Sequence, residues 1–208
     1  YKKDSNFSIV SSKYSSKTIY LRNEVLLKFD QMYNAAFKDG IKLVIISGTR
    51  SFNHQKYIWD RKWAKNILKM DSINAVKEIM KYSSMPSTSR HHWGTDIDLN
   101  NLENSYFEIG EGKKIFDWLV ENAFKYGFHM TYDNQEETKR TGYKMEKWHW
   151  SYMPISEQFL IQFNEYINCE NISSFKGSKF ACHPKVEVIK NFVNGINTDF
   201  KKIINVTE

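Results

Sequence analysis

The chain has 208 residues with a formal net charge of +6, and 41% of the residues are hydrophobic. This length suits a single domain with one hydrophobic core, and the composition excludes a disordered chain. No apolar run is long enough to span a membrane. The basic residues are scattered and accompany no nucleic-acid motif, so we expect a solvated basic surface and no nucleic-acid partner.

The first quarter of the chain predicts an arm, a helix and a strand. Residues 1–20 are polar and rich in Ser and Lys, which indicates an N-terminal arm or an edge strand. Apolar residues recur with a helical period over residues 21–38, and Gly40 is a stop signal. The β-branched run at 43–46 predicts a buried strand that brings Arg50 to its end. From these residues alone, Arg50 is equally consistent with a structural salt bridge.

A long helix is predicted over residues 53–82. Gln55 lies in its first turn, where it either faces a cleft or caps the helix. The densest basic group of the chain has the spacing of an exposed helix face. Its members are Arg61, Lys62, Lys65 and Lys69.

Residues 85–100 contain the first candidate metal ligands. Pro86 and the following Ser/Thr cluster predict a loop, and the alternation over residues 95–99 predicts a short strand. Imidazole and carboxylate groups on the two sides of Gly94 could meet at a zinc ion. Two histidines and two aspartates compete for this role, and the stretch alone is a weak signal. They are His91, His92, Asp96 and Asp98.

A second candidate stretch, residues 146–152, contains Glu146 and a histidine between two tryptophans. In a strand, His149 faces away from Trp148 and Trp150, so the indoles can enter the core while the imidazole faces a cleft. Two histidines and one aspartate leave a tetrahedral zinc one open position, and Glu146 could then take a proton from water. This set of groups is typical of a zinc hydrolase.

The second half of the chain predicts further helices around these stretches. We expect helices over residues 113–126, 156–167 and 184–194, with Gly127 ending the first of them. Residues 131–144 are charged and polar, which indicates an exposed loop at the rim of a cleft. We expect one domain over 1–208, with residues 1–20 as an arm and about 169–208 as a C-terminal helical extension.

Three motifs in order make the chain resemble a known family, the zinc D-alanyl-D-alanine carboxypeptidases of the VanY type. Ser89, His91, Gly94 and Asp98 match S-x-H-x-x-G-x-x-x-D of that family. Residues 146–149 match E-x-W-H. Residues 47–55 are similar to S-G-[YF]-R-S-x-x-x-Q, with Thr49 in place of the usual aromatic residue.

The resemblance implies an α+β fold of the DD-peptidase and hedgehog type, with a small antiparallel sheet carrying Zn²⁺ and helices packed behind it. It implies zinc ligands at His91, Asp98 and His149, and Glu146 as the general base. Arg50 is implied near the substrate carbonyl or carboxylate. His92 and Asp96 have no counterpart in the motif, and their roles stay open.

The function that the resemblance implies is removal of the terminal D-alanine from peptidoglycan stem peptides. An L,D-carboxypeptidase, an endopeptidase on the same polymer and a non-catalytic cell-wall-binding domain are the alternatives. Arg50 could stabilise the oxyanion or grip the terminal carboxylate, with Ser89 and Gln55 as hydrogen-bond donors beside it. The sequence does not choose between the two roles.

Cys169 and Cys182, 13 positions apart, bear on the cellular compartment. They are consistent with a disulfide that closes a short loop in an oxidising compartment, and equally with two buried thiols. Because the chain begins at Tyr1 rather than Met, we expect that an upstream segment has been removed, and a signal peptide would lie there. We expect an exported bacterial protein, periplasmic or in the cell envelope.

Overall fold

The N-terminal segment forms a two-stranded sheet rather than only an irregular arm. In a computed structural model, which describes residues 1–199, β1 (Phe7–Ile9) pairs antiparallel with β2 (Tyr20–Arg22). The helix α1 (Asn23–Lys38) follows directly, and it therefore starts two residues later than its apolar period suggests. Its buried face contains Val25, Phe29, Met32 and Ala36, four of the residues that define that period.

The long helix predicted over residues 53–82 is wrong in one respect, because it is broken into two. The helix α2 (Phe52–Asn66) ends before a turn, and α3 (Ser72–Ile79) starts after it. The side chain of Asp71 accepts a hydrogen bond of 3.0 Å from the backbone N–H of Asn74, which caps α3. The chain then leaves α3 as the loop that leads to the candidate metal ligands.

A four-stranded antiparallel sheet carries the candidate site. Its strands are β3 (Ile45–Ser47), β4 (Asp96–Leu99), β5 (Phe128–Met130) and β6 (His149–Tyr152), in the spatial order β3-β4-β6-β5. Asp98 lies directly opposite His149, and Asp96 lies opposite Ser151. Because side chains alternate along a strand, this register collects the polar side chains of β4 and β6 on one face.

The other face of the sheet is apolar and packs against helices. Ile97, Leu99 and Trp150 join a core cluster with residues of α1 and of α4 (Gly110–Asn122). The helix predicted over residues 113–126 is α4, which starts three residues earlier than predicted. It continues into a 3₁₀ turn (Ala123–Tyr126) that ends before Gly127. The α+β architecture implied by the resemblance is confirmed.

The segment over residues 131–144 is only in part the exposed loop that its polar composition predicts, since residues 136–139, 141 and 144 are exposed. It contains a short helix, α5 (Gln135–Thr138), and the side chains of Tyr132, Asp133 and Tyr143 are buried. Nε of Arg140 donates to Oδ1 of Asp133 at 2.9 Å, and this buried ion pair fixes the segment against the protein. The remaining charged side chains of the segment are exposed as predicted, so the composition misjudged only the residues at the two ends of the segment.

The C-terminal region contains helical turns rather than the predicted helix over residues 184–194. After α6 (Met153–Tyr166), the described part of the chain has the short turns Cys169–Asn171, Ser178–Phe180 and Ile189–Val193. Glu187 has a φ of +45°, a left-handed conformation that a continuous helix cannot contain. The rest of the predicted C-terminal extension, residues 200–208, lies outside the described residues.

This C-terminal region builds a second core cluster with the two helices after β3. Ile172, Phe175, Val186 and Val188 pack around Trp59 of α2 and neighbouring residues of α3. Within residues 1–199, no helix combines the length and the apolar character needed to cross a membrane.

Cys169 and Cys182 form a disulfide, the first of the two alternatives that the spacing allowed. We therefore expect no free thiol when the unreduced protein is unfolded and titrated. The bond limits the freedom of the unfolded chain, so reduction should lower the free energy of unfolding by about 3 kcal/mol. A Cys169→Ser, Cys182→Ser double variant serves as control, since reductant should not change its stability. Two titratable thiols in the untreated protein would contradict the prediction.

Candidate metal centre and cleft

Three buried side chains from three segments meet on the polar face of the sheet. His91 lies on a helical turn (Arg90–Trp93), which Gly94 ends with a φ of +75°. Nε2 of His91 is 3.3 Å from Oδ2 of Asp98, and Nδ1 of His149 is 3.0 Å from Oδ1 of the same carboxylate. One ligand atom of each residue lies within 4.8 Å of the other two, so the three could hold one metal ion.

The hydrogen bonds of His91 leave one nitrogen for a metal. Its Nδ1 donates to the carbonyl oxygen of Gly48 at 2.8 Å, because a carbonyl can only accept. Nε2 then carries a lone pair, and it is buried without a hydrogen-bond partner. Burial lowers the pKa of His91, which keeps the imidazole neutral as a metal ligand must be.

His149 is held between two carboxylates. Its Nε2 lies 2.9 Å from Oδ2 of Asp96, while Nδ1 faces Asp98. Burial alone would lower the pKa of His149, but the bonds to Asp96 and Asp98 raise it to about 9. Either a proton or a metal cation therefore belongs between Nδ1 and Asp98, and the donor set of two imidazoles and one carboxylate suits zinc.

Asp96, whose role the sequence left open, lies behind His149 and is not one of the three grouped residues. Its carboxylate accepts from Nε of Arg90 at 2.9 Å and from the hydroxyls of Thr95 and Ser151. A carboxylate on the far nitrogen of a metal-binding histidine fixes the ring orientation and the tautomer. Asp96 thus orients His149.

His92, the other open candidate, connects two loops instead. Its Nδ1 donates to the carbonyl oxygen of Arg50 at 2.7 Å, and its Nε2 accepts from the backbone N–H of Ser87 at 3.2 Å. Burial lowers the pKa of His92 to about 4, so the ring stays neutral in this bridge. It contributes to the position of Arg50 and not to the group of three.

Glu146 lies beside the three grouped residues, three positions before His149. It is buried, and its Oε2 is 3.7 Å from Nδ1 of His149. Burial raises the pKa of Glu146 to about 7. A carboxylate whose pKa is close to neutrality can accept and return a proton at the pH of a cell.

Arg50 and Ser89 line a small cavity of about 30 Å³ together with Glu146, His91 and His149. Buried polar atoms without hydrogen-bond partners surround this cavity. They are Nε of Arg50, Nη1 of Arg90, Nε2 of His91 and the hydroxyls of Ser89 and Tyr143. Buried donors are normally satisfied, so these atoms indicate a polar ligand.

Gln55 is buried one layer behind this cavity. Its Nε2 donates to the carbonyl oxygen of Ser84 at 2.8 Å, which supports the loop before Ser89. Gln55 is not among the described residues that line the cavity. Its contact with a substrate stays a prediction.

The prediction of an exposed basic helix face is wrong for one of its four members, Lys62. It is half-buried, and its Nζ donates to the hydroxyl of Ser83 at 2.5 Å, whereas Arg61 and Lys65 are exposed. Lys62 follows the buried residues Gln55 and Trp59 at helical spacing, so the period of α2 contained the signal.

Two larger clefts open beside the metal centre, and both contain Arg50 and Asp98. The Lys62 cleft has a volume of about 660 Å³ and is also lined by Lys62, Ser83, Glu146 and Trp148. The second cleft, of about 490 Å³, is lined on its other side by Lys17, Tyr20 and His54. The metal centre is therefore reached from open surface on two sides.

A buried His-Asp-His group with an adjacent glutamate, on a small antiparallel sheet, defines a site of the zinc-peptidase type. The family model of VanY, described as D-alanyl-D-alanine carboxypeptidase, matches residues 18–155. The chain belongs to this family.

Individual relatives agree with this assignment. The putative carboxypeptidase YodJ of Bacillus subtilis (strain 168) is 33% identical over 153 residues, which cover 70% of this chain and 51% of that protein. The chain spans about half the length of the curated relatives it matches.

Solved structures share the fold. A mutant of the vancomycin-resistance D,D-pentapeptidase VanY in complex with Zn(II) is 25% identical with a TM-score of 0.56, and the match covers 77% of this chain and 94% of that one. The LD-carboxypeptidase LdcB is 28% identical with a TM-score of 0.58, and the match covers 78% of this chain and 74% of that one.

Proposed function

We propose that this chain is a zinc-dependent carboxypeptidase that removes the terminal D-alanine from peptidoglycan stem peptides. The small cavity beside the metal centre carries this proposal, because Arg50 and Ser89 present unpaired buried donors there. A guanidinium nitrogen and a hydroxyl side by side suit the free carboxylate at the end of a peptide. A continuing chain has no free carboxylate at that position, so we favour a carboxypeptidase over an endopeptidase.

Zinc is the metal that we propose for His91, Asp98 and His149. Two imidazoles and one carboxylate leave a tetrahedral ion open on one side, as in catalytic zinc sites. When bound, zinc supplies Lewis acidity to the cleft and lowers the pKa of water there. The family membership and the Zn(II) complex of the VanY structure support this choice.

Glu146 moves the proton in the proposed reaction. Its carboxylate accepts a proton from the attacking water and then delivers it to the nitrogen of the leaving D-alanine. Burial of Glu146 favours this role. It raises the pKa of the carboxyl group to about 7, so that both proton transfers are accessible near neutral pH. Asp96 and Arg90 keep His149 in place meanwhile.

Arg50 and Ser89 bind the terminal carboxylate in this proposal. A guanidinium binds a carboxylate with charge-assisted hydrogen bonds, and Nε of Arg50 is unpaired beside the small cavity. Arg50 also lines both larger clefts, next to the metal centre, and this position is consistent with its alternative role of stabilising the oxyanion. We favour the carboxylate role because the cavity contains a second unpaired donor, on Ser89.

An L,D-carboxypeptidase is the second candidate, because the chain is 28% identical to the LD-carboxypeptidase LdcB. The same residues would act, and only the configuration of the residue before the scissile bond would differ. Two peptides that differ in that one stereocentre, each ending in D-alanine, separate the candidates by their relative turnover.

The zinc-loaded protein is expected to release D-alanine from a D-alanyl-D-alanine-ended peptide and to lose this activity with chelator. The same peptide with an amidated C-terminus should react at least about 100-fold more slowly, because charge-assisted hydrogen bonds contribute about 1.5–3 kcal/mol each. Equal cleavage of both peptides would favour an endopeptidase. Binding without cleavage of either would favour a cell-wall-binding domain.

The disulfide supports a proposed location outside the cytosol. Disulfides persist in oxidising compartments and are rare where thiols are kept reduced. We propose an exported protein, periplasmic or in the bacterial cell envelope, where peptidoglycan is within reach.

A further inference from the structure

Lys62 is a half-buried cation in the cleft beside the metal centre, and it has no anionic partner of its own. Its Nζ donates to Ser83, and it forms no salt bridge with any residue that the structure describes. Lys56, six residues earlier on the same helix, pairs with Asp60 instead. The amine of Lys62 therefore gives up part of its hydration without gaining a carboxylate.

The other charged residues around the Lys62 cleft do not supply an anionic partner for Lys62. Arg50 and Arg61 add two cations to its lining. Its acidic residues are Asp98, Glu103 and Glu146. Asp98 belongs to the metal group and Glu146 is the proposed base, while Glu103 is exposed at the rim. Burial lowers the pKa of Lys62, and Glu146 opposes that shift.

A carboxylate from a ligand would provide the anionic partner that Lys62 lacks among the described residues. A partly desolvated ammonium gains most from an anion that brings both charge and hydrogen-bond acceptors, and ion pairs away from bulk water are less screened. Ser83, which already accepts from Lys62, can turn its own hydroxyl proton toward the same anion.

We propose that Lys62 is a specificity-determining residue that binds a second carboxylate of the substrate, on the acyl side of the scissile bond. This inference rests on the proposed function, in which Arg50 and Ser89 bind the terminal carboxylate at the small cavity. The rest of the peptide must then leave through an open cleft, and the Lys62 cleft shares Arg50, Ser83 and Glu146 with the small cavity. The preferred substrate class is an acidic peptide with a small C-terminal residue.

The test compares two peptides that differ in one side chain. Both end in D-alanyl-D-alanine, and the residue before this pair is glutamate in one and the isosteric glutamine in the other. We expect the wild-type protein to prefer the glutamate peptide in kcat/KM by roughly 10- to 100-fold, the range of a charge-assisted hydrogen bond. In Lys62→Met the ratio between the two peptides should fall to about 1, and Lys62→Arg should restore part of it.

Lys65→Met is the matched control, because Lys65 is an exposed lysine on the same helix. It should keep the wild-type ratio. A second measurement, the Kd of both peptides for the zinc-loaded Glu146→Gln variant with and without Lys62→Met, does not depend on turnover. The same loss of charge preference is expected there.

The outcomes separate this inference from the proposed function. Cleavage of both peptides at equal rates by the wild type, or an unchanged ratio in Lys62→Met, would overturn the role of Lys62 and leave the carboxypeptidase standing. No cleavage of either peptide, together with a Kd ratio that disappears in Lys62→Met, would support Lys62 and overturn the proposed reaction. Equal Kd values in both backgrounds would overturn the role of Lys62.

Discussion

Replacing Glu146 with glutamine should slow release of D-alanine by about 10²–10⁴-fold, the usual contribution of a general base. Glutamine keeps the size of the side chain but cannot accept a proton. Glu146 is 3.7 Å from Nδ1 of His149 and lies outside the group of three ligands, so zinc should stay bound. Steady-state turnover and metal content, measured on the same preparation, check both parts.

Glu165→Gln is the control for this experiment, because it removes an exposed carboxylate on α6 that lines neither the small cavity nor the two larger clefts. Its turnover should stay close to that of the wild type. If Glu146→Gln retained activity within a few-fold of the wild type, Glu146 would be a structural acid and the base would have to be sought elsewhere.

Replacing His149 with alanine should remove zinc and activity together. The change deletes one of the three proposed ligands and also leaves Asp96 and Asp98 without their shared partner. Loss of an outer partner of a ligand typically costs 10–100-fold in metal affinity, so loss of the ligand itself should cost more than about 100-fold. Metal analysis after dialysis and the unfolding curve of the metal-free protein provide the readouts.

His92→Ala tests whether the choice between neighbouring histidines is right. His92 bonds to the backbone of Arg50 and Ser87 and does not face Asp98, so its removal should leave the zinc content nearly unchanged. Full zinc occupancy in His149→Ala, or loss of zinc in His92→Ala, would refute the assignment of ligands.

The polar face of the sheet could be predicted because alternation along a strand is a local property. His149 between two tryptophans, and Asp98 next to Ile97 and Leu99, already indicate which side chains point away from the core. The choice of His91 over His92 came from the family motif. The geometry adds a physical reason, since Nδ1 of His91 bonds to Gly48 and its Nε2 is unpaired.

Features that depend on distant partners could not be predicted in this way. The buried pair of Arg90 and Asp96 is completed by Ser151, which lies 55 positions after Asp96. The burial of Asp133 within the polar segment 131–144 could not be predicted for a similar reason, because Arg140 pairs with it inside the protein. The break between α2 and α3 is different, since Asp71 is a local capping signal that the apolar period concealed.

The pairing of Asp98 with His149 across β4 and β6 has a consequence for the folding of this chain. A shift of one residue between these strands would turn the side chains of one of them over, burying carboxylates among indoles and moving Ile97 or Trp150 into the cleft. The metal site therefore cannot form unless these two strands are correctly paired. Zinc can select the correctly paired chains from a population of misfolded ones, because only they offer it three donors.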